Sequence, residues 1–164
     1  IVSNHQSLAD IVVLYQLRLQ FKWVAKESLF SLPFLGWCLG LCKHIRLKRN
    51  DRSSIRDVYR EAIGYLRSGM SVLFFPEGTR SPDGKLQPFK KGVFLIALKS
   101  QAPILPITIQ GAARIMRKGD WRTYPGEVKI QIDPPIDTAG IPIEKEAELS
   151  QRVRSTLMKN LANT

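Results

Sequence analysis

The sequence predicts an α/β fold, a single layered domain with a largely parallel, mixed sheet flanked by helices. Three observations support this class. Apolar runs of strand length alternate with amphipathic segments of helical spacing along the chain. The run SVLFF at 71–75 is continuously apolar after its serine, which is typical of a strand buried in a parallel sheet. With 164 residues, 44% of them hydrophobic, and no repeat or linker, the chain fits one domain over 1–164.

The first half of the chain is predicted to hold three strands and three helices. The strands lie at 1–3, 21–25 and 44–48, and the helices lie at 9–19, at 32–41 and from a cap at 53–54 to Gly69. The helix at 9–19 is expected to turn four side chains inward: Ile11, Val12, Leu14 and Tyr15. Because the chain opens inside a strand and without an initiator methionine, we expect a fragment whose N-terminal region is missing.

The second half continues the alternation, with strands at 71–75, 104–110 and 128–133. Helices are predicted at 91–100, which is apolar enough to be buried, and at 144–163, which is amphipathic. The apolar side of the last helix is expected to consist of Ala147, Val153, Leu157 and Leu161. Strands separated by helices in this way favour parallel neighbours in one sheet.

The charge balance points to an anionic partner. The chain carries 25 Lys and Arg against 14 Asp and Glu, a formal net charge of +11. Such a balance fits nucleic acid, an anionic membrane surface or phosphorylated small molecules, and a merely solvated basic face is the alternative. Two basic clusters are evident: Lys43, Arg46, Lys48, Arg49 and Arg52, and then Arg114, Arg117, Lys118 and Arg122. Neither is interleaved with the aromatic residues of a base-stacking surface, so nucleic acid is not favoured.

The composition also argues against a membrane span and a metal site. The uncharged apolar stretch at 29–42 has 14 residues, whereas a bilayer needs roughly 20. Two cysteines, Cys38 and Cys42, give no disulfide framework and suit a reducing compartment. Together with His44 their spacing could suggest zinc. Because a cysteine pair at i,i+4 in an apolar helix is more typical of core packing, no metal site is predicted.

A histidine and an aspartate follow the first predicted strand. His5 falls in the turn before a helix, and ligand sites of open α/β sheets lie at the carboxyl ends of strands. Asp10, in the first turn of that helix, can accept a hydrogen bond from one imidazole nitrogen and leave the other as a base. No Gly-x-Ser-x-Gly elbow is present, so the pair suits deprotonation of a substrate hydroxyl. A pair that serves only as a cap or a loop bond is the alternative.

A second polar loop, Glu77-Gly78-Thr79-Arg80, follows the strand at 71–75. Gly78 permits a turn or a close approach to a ligand. Arg80 offers a planar fork of donors suited to phosphate, and Glu77 can hold that guanidinium or bond a substrate hydroxyl. A turn with a surface ion pair is the alternative. Because one sheet would align the two strand ends, we expect both loops to share a site.

These segments resemble the glycerophospholipid acyltransferases, and most closely those that act on 1-acylglycerol 3-phosphate. The motifs NHQSLAD at 4–10 and FPEGTR at 75–80 carry the resemblance, and two weaker blocks follow in order, KHIRLKR at 43–49 and ILPI at 104–107. In the family, the second block ends in an arginine that binds phosphate, and Arg49 is the matching position. The family block opens with glycine and is mostly apolar, whereas this one is basic, so Arg46 competes with Arg49 for that role.

The resemblance implies an enzyme that moves a fatty acyl group from acyl-CoA or acyl-carrier protein to the sn-2 hydroxyl of lysophosphatidic acid, without a metal or cofactor. His5 would take the hydroxyl proton and Asp10 would orient the imidazole. The acceptor would be held by Glu77, Gly78, Thr79, Arg80 and Arg49, with the arginines on its phosphate.

The substrates of such an enzyme partition into bilayers, so the resemblance implies a membrane-associated protein on the cytoplasmic side, with a hydrophobic anchor in the missing N-terminal region. The apolar stretch at 29–39 could dip into the headgroups, and an ordinary buried helix is the alternative.

Two other functions stay open at this point. One is acyl transfer to another lysophospholipid, to glycerol 3-phosphate or to a lyso-aminolipid. The other is a non-enzymatic basic module that binds lipid or nucleic acid, although such a module has no need of a base.

Overall fold

The computed structural model describes residues 1–81, 84–116 and 122–162. Its strands are β1 (Val2–Ser3), β2 (Phe21–Lys26), β3 (Ile45–Leu47), β4 (Ser71–Leu73), β5 (Pro106–Gln110) and β6 (Lys129–Ile132). Its helices are α1 (Ala9–Tyr15), α2 (Leu35–Leu41), α3 (Arg52–Arg67), α4 (Gly92–Ser100), α5 (Ala112–Ile115) and α6 (Glu146–Ala162), with 3₁₀ turns at Glu27–Leu29 and Ile143–Lys145. Arg117 and Lys118 of the second basic cluster, and position 163 of the last predicted helix, lie outside the described residues.

The strands form a mostly parallel sheet in the order β3-β2-β4-β1-β5-β6. Strand β2 pairs in parallel with β3 and β4, β1 pairs in parallel with β5, and β6 is antiparallel to β5. The two halves are joined where Val2 bridges to Phe74, just past β4. Here the Ser3 amide donates to the Phe74 carbonyl at 3.1 Å. The predicted fold class is confirmed, and β1 and β4 are neighbours whose carboxyl ends meet at one edge.

Helices cover both faces of the sheet. Val72 packs in a cluster with side chains of α3 and α4, whereas the next residue, Leu73, packs in a cluster with Leu14 of α1. Because successive strand residues point to opposite faces, α3 and α4 lie on one face and α1 lies on the other. Helix α6 shares the face of α4, since Val153 packs in one cluster with Phe94.

Helix α1 is shorter than predicted and buries fewer side chains. It ends at Tyr15, and Arg18 has a left-handed backbone conformation (φ 52°), so the chain does not continue as a helix to 19. Leu14 is buried, but Val12 and Tyr15 are exposed, so the expectation that all four apolar side chains face inward was wrong. A helix packed on a sheet by one face buries only one stripe, and these two residues lie outside it.

The other helices were found at the predicted places with differences in detail. Asp51, rather than the serines at 53–54, caps α3: its Oδ1 accepts from the amides of Ser53 at 2.9 Å and Ser54 at 3.2 Å. In α6 the buried residues are Leu149, Val153, Leu157 and Asn160, whereas Ala147 is exposed. The short helix α5 was not predicted, because its four residues are too few to show a period.

Asn160 is a buried polar residue that ties α6 to the sheet. Its Nδ2 donates to Thr108 Oγ1 at 2.9 Å and to Asp133 Oδ2 at 2.7 Å. Its Oδ1 accepts from Gln131 Nε2 at 2.9 Å, and its carbonyl accepts from Gln110 Nε2 at 2.6 Å. A side chain with this many partners specifies the position of α6 on β5 and β6.

Candidate active site

The structure brings His5 and Asp10 together at the carboxyl end of β1. His5 lies in the turn between β1 and α1, with its Nδ1 2.8 Å from Asp10 Oδ2. The imidazole stacks on Phe75, with ring centroids 4.0 Å apart, and 15% of the side chain is exposed. The predicted hydrogen bond is present. With Nδ1–H donated to the carboxylate, Nε2 is the nitrogen left to take a substrate proton.

The main chain holds the Asp10 carboxylate in place. Asp10 is fully buried, and its Oδ2 also accepts from the amides of Gln6 at 2.7 Å and Ser7 at 2.8 Å. The other oxygen, Oδ1, is buried without a hydrogen-bond partner among the described residues. Three donors on one oxygen offset part of the cost of burying a carboxylate and fix the orientation of the group that orients the imidazole.

Glu77 joins the two sequence motifs. Its Oε1 accepts from the amide of His5 at 2.7 Å, and its Oε2 accepts from the amide of Gln87 at 2.8 Å. The residue is only 3% exposed, and burial raises the pKa of its carboxyl above the ordinary value of 4.5. Oε1 therefore braces the loop that carries His5, and Oε2 ties Glu77 to the segment at 87. A contact of Glu77 with substrate stays a prediction.

Arg49 reaches the second loop and Arg46 does not. The Nη2 of Arg49 donates to the carbonyl of Gly78 at 2.5 Å. The guanidinium of Arg46 lies instead over the ring of Phe30, 4.6 Å from its centroid. The structure therefore places Arg49, rather than Arg46, against the loop Glu77-Gly78-Thr79-Arg80 (the EGTR loop), and a phosphate-binding role for Arg49 stays a prediction.

The rest of the EGTR loop lines the same edge. Gly78 has φ +69°, a left-handed backbone conformation that residues other than glycine rarely adopt. Both Gly78 and Thr79 are exposed. Arg80 is partly exposed, and the amide of the next residue, Ser81, donates to the carbonyl of His5 at 2.8 Å. The loop therefore turns back against His5. Six of the seven predicted site residues lie on these two facing segments, and the seventh, Arg49, contacts the second of them.

Two polar residues of the first motif have structural roles that the sequence did not reveal. Asn4 is buried and pairs with the main chain of Ile109: its Nδ2 donates to the carbonyl and its Oδ1 accepts from the amide, both at 2.8 Å. Its side chain thus continues the β1–β5 pairing into the turn. Ser7 donates from Oγ to the carbonyl of Met116 at 2.6 Å and accepts from the amide of Ala9 at 3.1 Å. An asparagine and a serine between strand and helix are the signal for such roles.

The spacing that could suggest zinc has another explanation. His44 accepts at Nδ1 from the amide of Trp23 at 3.0 Å. Cys38 and Cys42 are free thiols and both are exposed, so the expectation that they pack in the core was wrong; on the short helix α2 only Gly36 and Leu39 are buried. Across 1–81, 84–116 and 122–162, no group of three His, Cys, Asp or Glu side chains could hold a metal ion.

Comparison with known proteins shows which proteins the chain resembles. The chain is 43% identical over 136 residues to a chloroplastic 1-acyl-sn-glycerol-3-phosphate acyltransferase of Brassica napus, which covers 82% of the chain and 40% of that protein. It is 32% identical over 163 residues to a 1-acyl-sn-glycerol-3-phosphate acyltransferase of Pseudomonas aeruginosa, which covers 99% of the chain and 63% of that protein. The crystal structure of the 1-acyl-sn-glycerophosphate acyltransferase of Thermotoga maritima superposes with a TM-score of 0.86 at 36% identity, over 99% of this chain and 64% of that one.

The fold is a mostly parallel sheet with a histidine–aspartate pair and a basic loop at one edge, and such a pair can take a proton from a hydroxyl. The acyltransferase family model matches residues 1–110, and the chain belongs to this family. The matched region contains both motifs, Arg49 and β5. The chain spans about 40% of the length of the Brassica relative.

Proposed function

We propose that the protein transfers a fatty acyl group from acyl-CoA or acyl-carrier protein to the sn-2 hydroxyl of 1-acylglycerol 3-phosphate, giving phosphatidic acid. The relatives named for this activity support the proposal. The observation that carries it is the short link between the two loops: Glu77 accepts from the amide of His5 at 2.7 Å, and Arg49 donates to the neighbouring Gly78. A base and cations suited to phosphate therefore share one edge of the sheet.

In the proposed mechanism His5 is the general base. Nε2 takes the proton of the sn-2 hydroxyl as its oxygen attacks the thioester carbonyl carbon. The resulting imidazolium donates from Nδ1 to Asp10, whose fixed carboxylate stabilises the positive charge. When the tetrahedral intermediate collapses, the carbon–sulfur bond breaks and the same proton passes to the leaving thiolate. Donor and acceptor held on one surface react as if within one molecule, which contributes much of the acceleration.

The acceptor phosphate would lie beside the EGTR loop. Arg80 and Arg49 supply guanidinium forks, which can bind phosphate oxygens in pairs. Gly78 and Thr79 are exposed on this loop, so their main chain is accessible to a headgroup. The base and the phosphate site would then meet adjacent positions of the glycerol unit, the sn-2 hydroxyl and the sn-3 phosphate.

The protein is also proposed to dock on anionic membranes through an apolar surface formed by α2 and the segment before it. On it Phe34 is 73%, Trp37 63% and Leu41 84% exposed. Exposed large apolar side chains on a basic chain suit burial among anionic headgroups. In the described parts of the chain, no helix combines the length and apolar composition needed to cross a bilayer. The sidedness expected above, cytoplasmic, stays a prediction.

Vesicle flotation tests this docking surface. We expect L41E to weaken binding of the full-length protein to phosphatidylglycerol vesicles, because a carboxylate replaces an apolar contact and meets anionic lipid. M158E is the matched control, since Met158 is 50% exposed on α6. Equal effects of the two variants would contradict the surface.

The activity is tested by thiol release from acyl-CoA, with and without lysophosphatidic acid, using the full-length protein. H5A should lose nearly all acceptor-dependent release with its fold intact, because His5 lies in a turn outside the core clusters. H44Q replaces the other histidine and should keep activity, since Gln can still accept from the Trp23 amide. Turnover by H5A above a few per cent of the wild-type rate would overturn the proposed base. A parallel assay with acyl-carrier protein distinguishes the two donors.

A further inference from the structure

Lys90 lies beside Gly78 although it belongs to neither motif. Its main-chain amide donates to the carbonyl of Pro76 at 2.7 Å, which fixes the residue against the start of the EGTR loop. A Cβ built on Gly78 would lie 3.6 Å from Cγ and 3.7 Å from Cε of Lys90. The stem of the lysine therefore runs along Gly78, and the ammonium, bonded to Cε, sits next to the loop.

Two cations from distant parts of the sequence thus meet at one glycine. Arg49 donates to the carbonyl of Gly78, and Lys90 covers the face that a side chain would occupy. The carboxylate next to Gly78 in sequence, that of Glu77, is buried and accepts from two main-chain amides. In the described residues Lys90 forms no ion pair, and Arg80 adds a third basic residue two positions after Gly78. The edge is therefore positively charged.

We propose that Lys90 binds the phosphate of the acceptor and selects a phosphomonoester over a phosphodiester headgroup. The inference rests on the acyl transfer proposed above. A monoester carries close to two negative charges at neutral pH, because its second ionisation lies near pH 6, whereas a diester carries one. A lysine supplies a compact charge without a fixed fork, so it adds attraction for the second charge while the arginines supply geometry.

Gly78 is part of this arrangement. Its positive φ, rather than a lack of room for a Cβ, is what favours glycine here, since a Cβ would meet the lysine stem at ordinary van der Waals distance, and its carbonyl accepts from Arg49. Gly78 therefore contacts both cations.

The test compares K90Q with K91Q in the full-length protein. The two substitutions remove the same charge from adjacent exposed residues, and both keep the main-chain amides. With acyl-CoA saturating, K90Q should raise KM for lysophosphatidic acid about 5- to 20-fold with little change in kcat, the loss expected for one charged contact in a partly wet site. K91Q should behave like the wild type. Thermal melts of both variants verify folding.

A second measurement does not depend on turnover. Binding of lysophosphatidic acid and of lysophosphatidylglycerol, presented in neutral detergent micelles, is titrated for the wild type and both variants. We expect K90Q to weaken binding of the monoester by more than binding of the diester, so that the ratio of the two affinities decreases. If K90Q and K91Q match in both measurements, Lys90 has no such role. If K90Q raises KM for acyl-CoA and not for the acceptor, the lysine binds a phosphate of CoA and the inference is wrong. A wild type that binds the monoester without transferring acyl would refute the proposed function, while the binding comparison still decides the role of Lys90.

Discussion

Replacing Glu77 by glutamine tests whether one buried carboxylate holds the base in place. Both oxygens accept main-chain hydrogen bonds, from His5 at 2.7 Å and from Gln87 at 2.8 Å. An amide has only one oxygen, so in either orientation its NH₂ faces one of these N–H groups. A buried donor left unsatisfied costs about 1–3 kcal/mol, and relief of the charge burial recovers part of it. We expect E77Q to lower the free energy of unfolding by about 1–2 kcal/mol.

Activity should fall more than stability in this variant. The glutamine displaces either the His5 loop or the segment at 87, and a base displaced by about 1 Å can lose roughly 100-fold in rate. The assays are urea unfolding and acceptor-dependent thiol release. Q87A is the matched control, because the contact with Glu77 uses the main-chain amide of Gln87, whereas its side chain donates to the Lys85 carbonyl. Stability within about 0.5 kcal/mol of the wild type, with full turnover, would refute the bracing role.

Three further predictions concern the same edge and its neighbour. D10N should lower kcat by about 10³-fold or more, because the imidazolium loses its charge partner and the buried amide NH₂ lacks an acceptor; turnover near the wild-type rate would contradict this. R49A should lower kcat/KM for lysophosphatidic acid by about 10- to 100-fold, and R46A should lower it much less, because Arg49 donates to Gly78 whereas Arg46 lies over Phe30. The reverse ranking of these two variants would move the phosphate site to Arg46. R80K should not preserve activity, because lysine lacks the planar fork of the guanidinium. Burial, and to a smaller extent the charge of Lys22, lowers the pKa of His44. Its stabilising contribution is therefore present above about pH 6.5, the pKa of an unfolded histidine, and is lost as the pH falls below that value. In H44Q, whose glutamine does not titrate, the free energy of unfolding measured with urea should fall less steeply between about pH 7 and pH 5.

The fold was predictable because the local hydrophobic periodicity of the sequence indicates its strands and most of its helices. The run at 71–75 and the alternation at 128–133 both became strands, although β4 ends at Leu73 because Phe74 pairs with β1 through a single bridge. Exposure was less predictable. Val12 and Tyr15 on α1, and the thiols on α2, are apolar or weakly polar residues that period and hydrophobicity place inside. Which stripe of a helix faces the sheet depends on the neighbouring layer, and a single segment does not contain that information.

The candidate site was predictable in its members and only partly in its contacts. The pairing of His5 with Asp10 follows from the strand–turn–helix arrangement, since His5 lies in the turn and Asp10 in the first turn of the helix that follows. The choice of Arg49 over Arg46 did not follow, because both are basic residues near the end of β3 and their different directions depend on Phe30 and Gly78. The roles of Glu77 and Asn4 depend on partners far away in sequence, at His5 and Ile109, and only the pairing of strands reveals them.

Main-chain groups supply most of the precision at this edge. The carboxylates of Asp10 and Glu77 accept from the amides of Gln6, Ser7, His5 and Gln87. Such amides keep their positions as long as the sheet does, so the orientation of His5 depends on the adjacency of β1 and β4. Under the proposed function, substitutions that keep the carboxylates should leave the orientation of His5 intact. Changes at 49, 80 and 90, whose cations are exposed or partly exposed, should then alter headgroup binding without moving His5. Acceptor preference and acyl-transfer chemistry should therefore be separable by mutation, which the paired variants K90Q and E77Q measure directly.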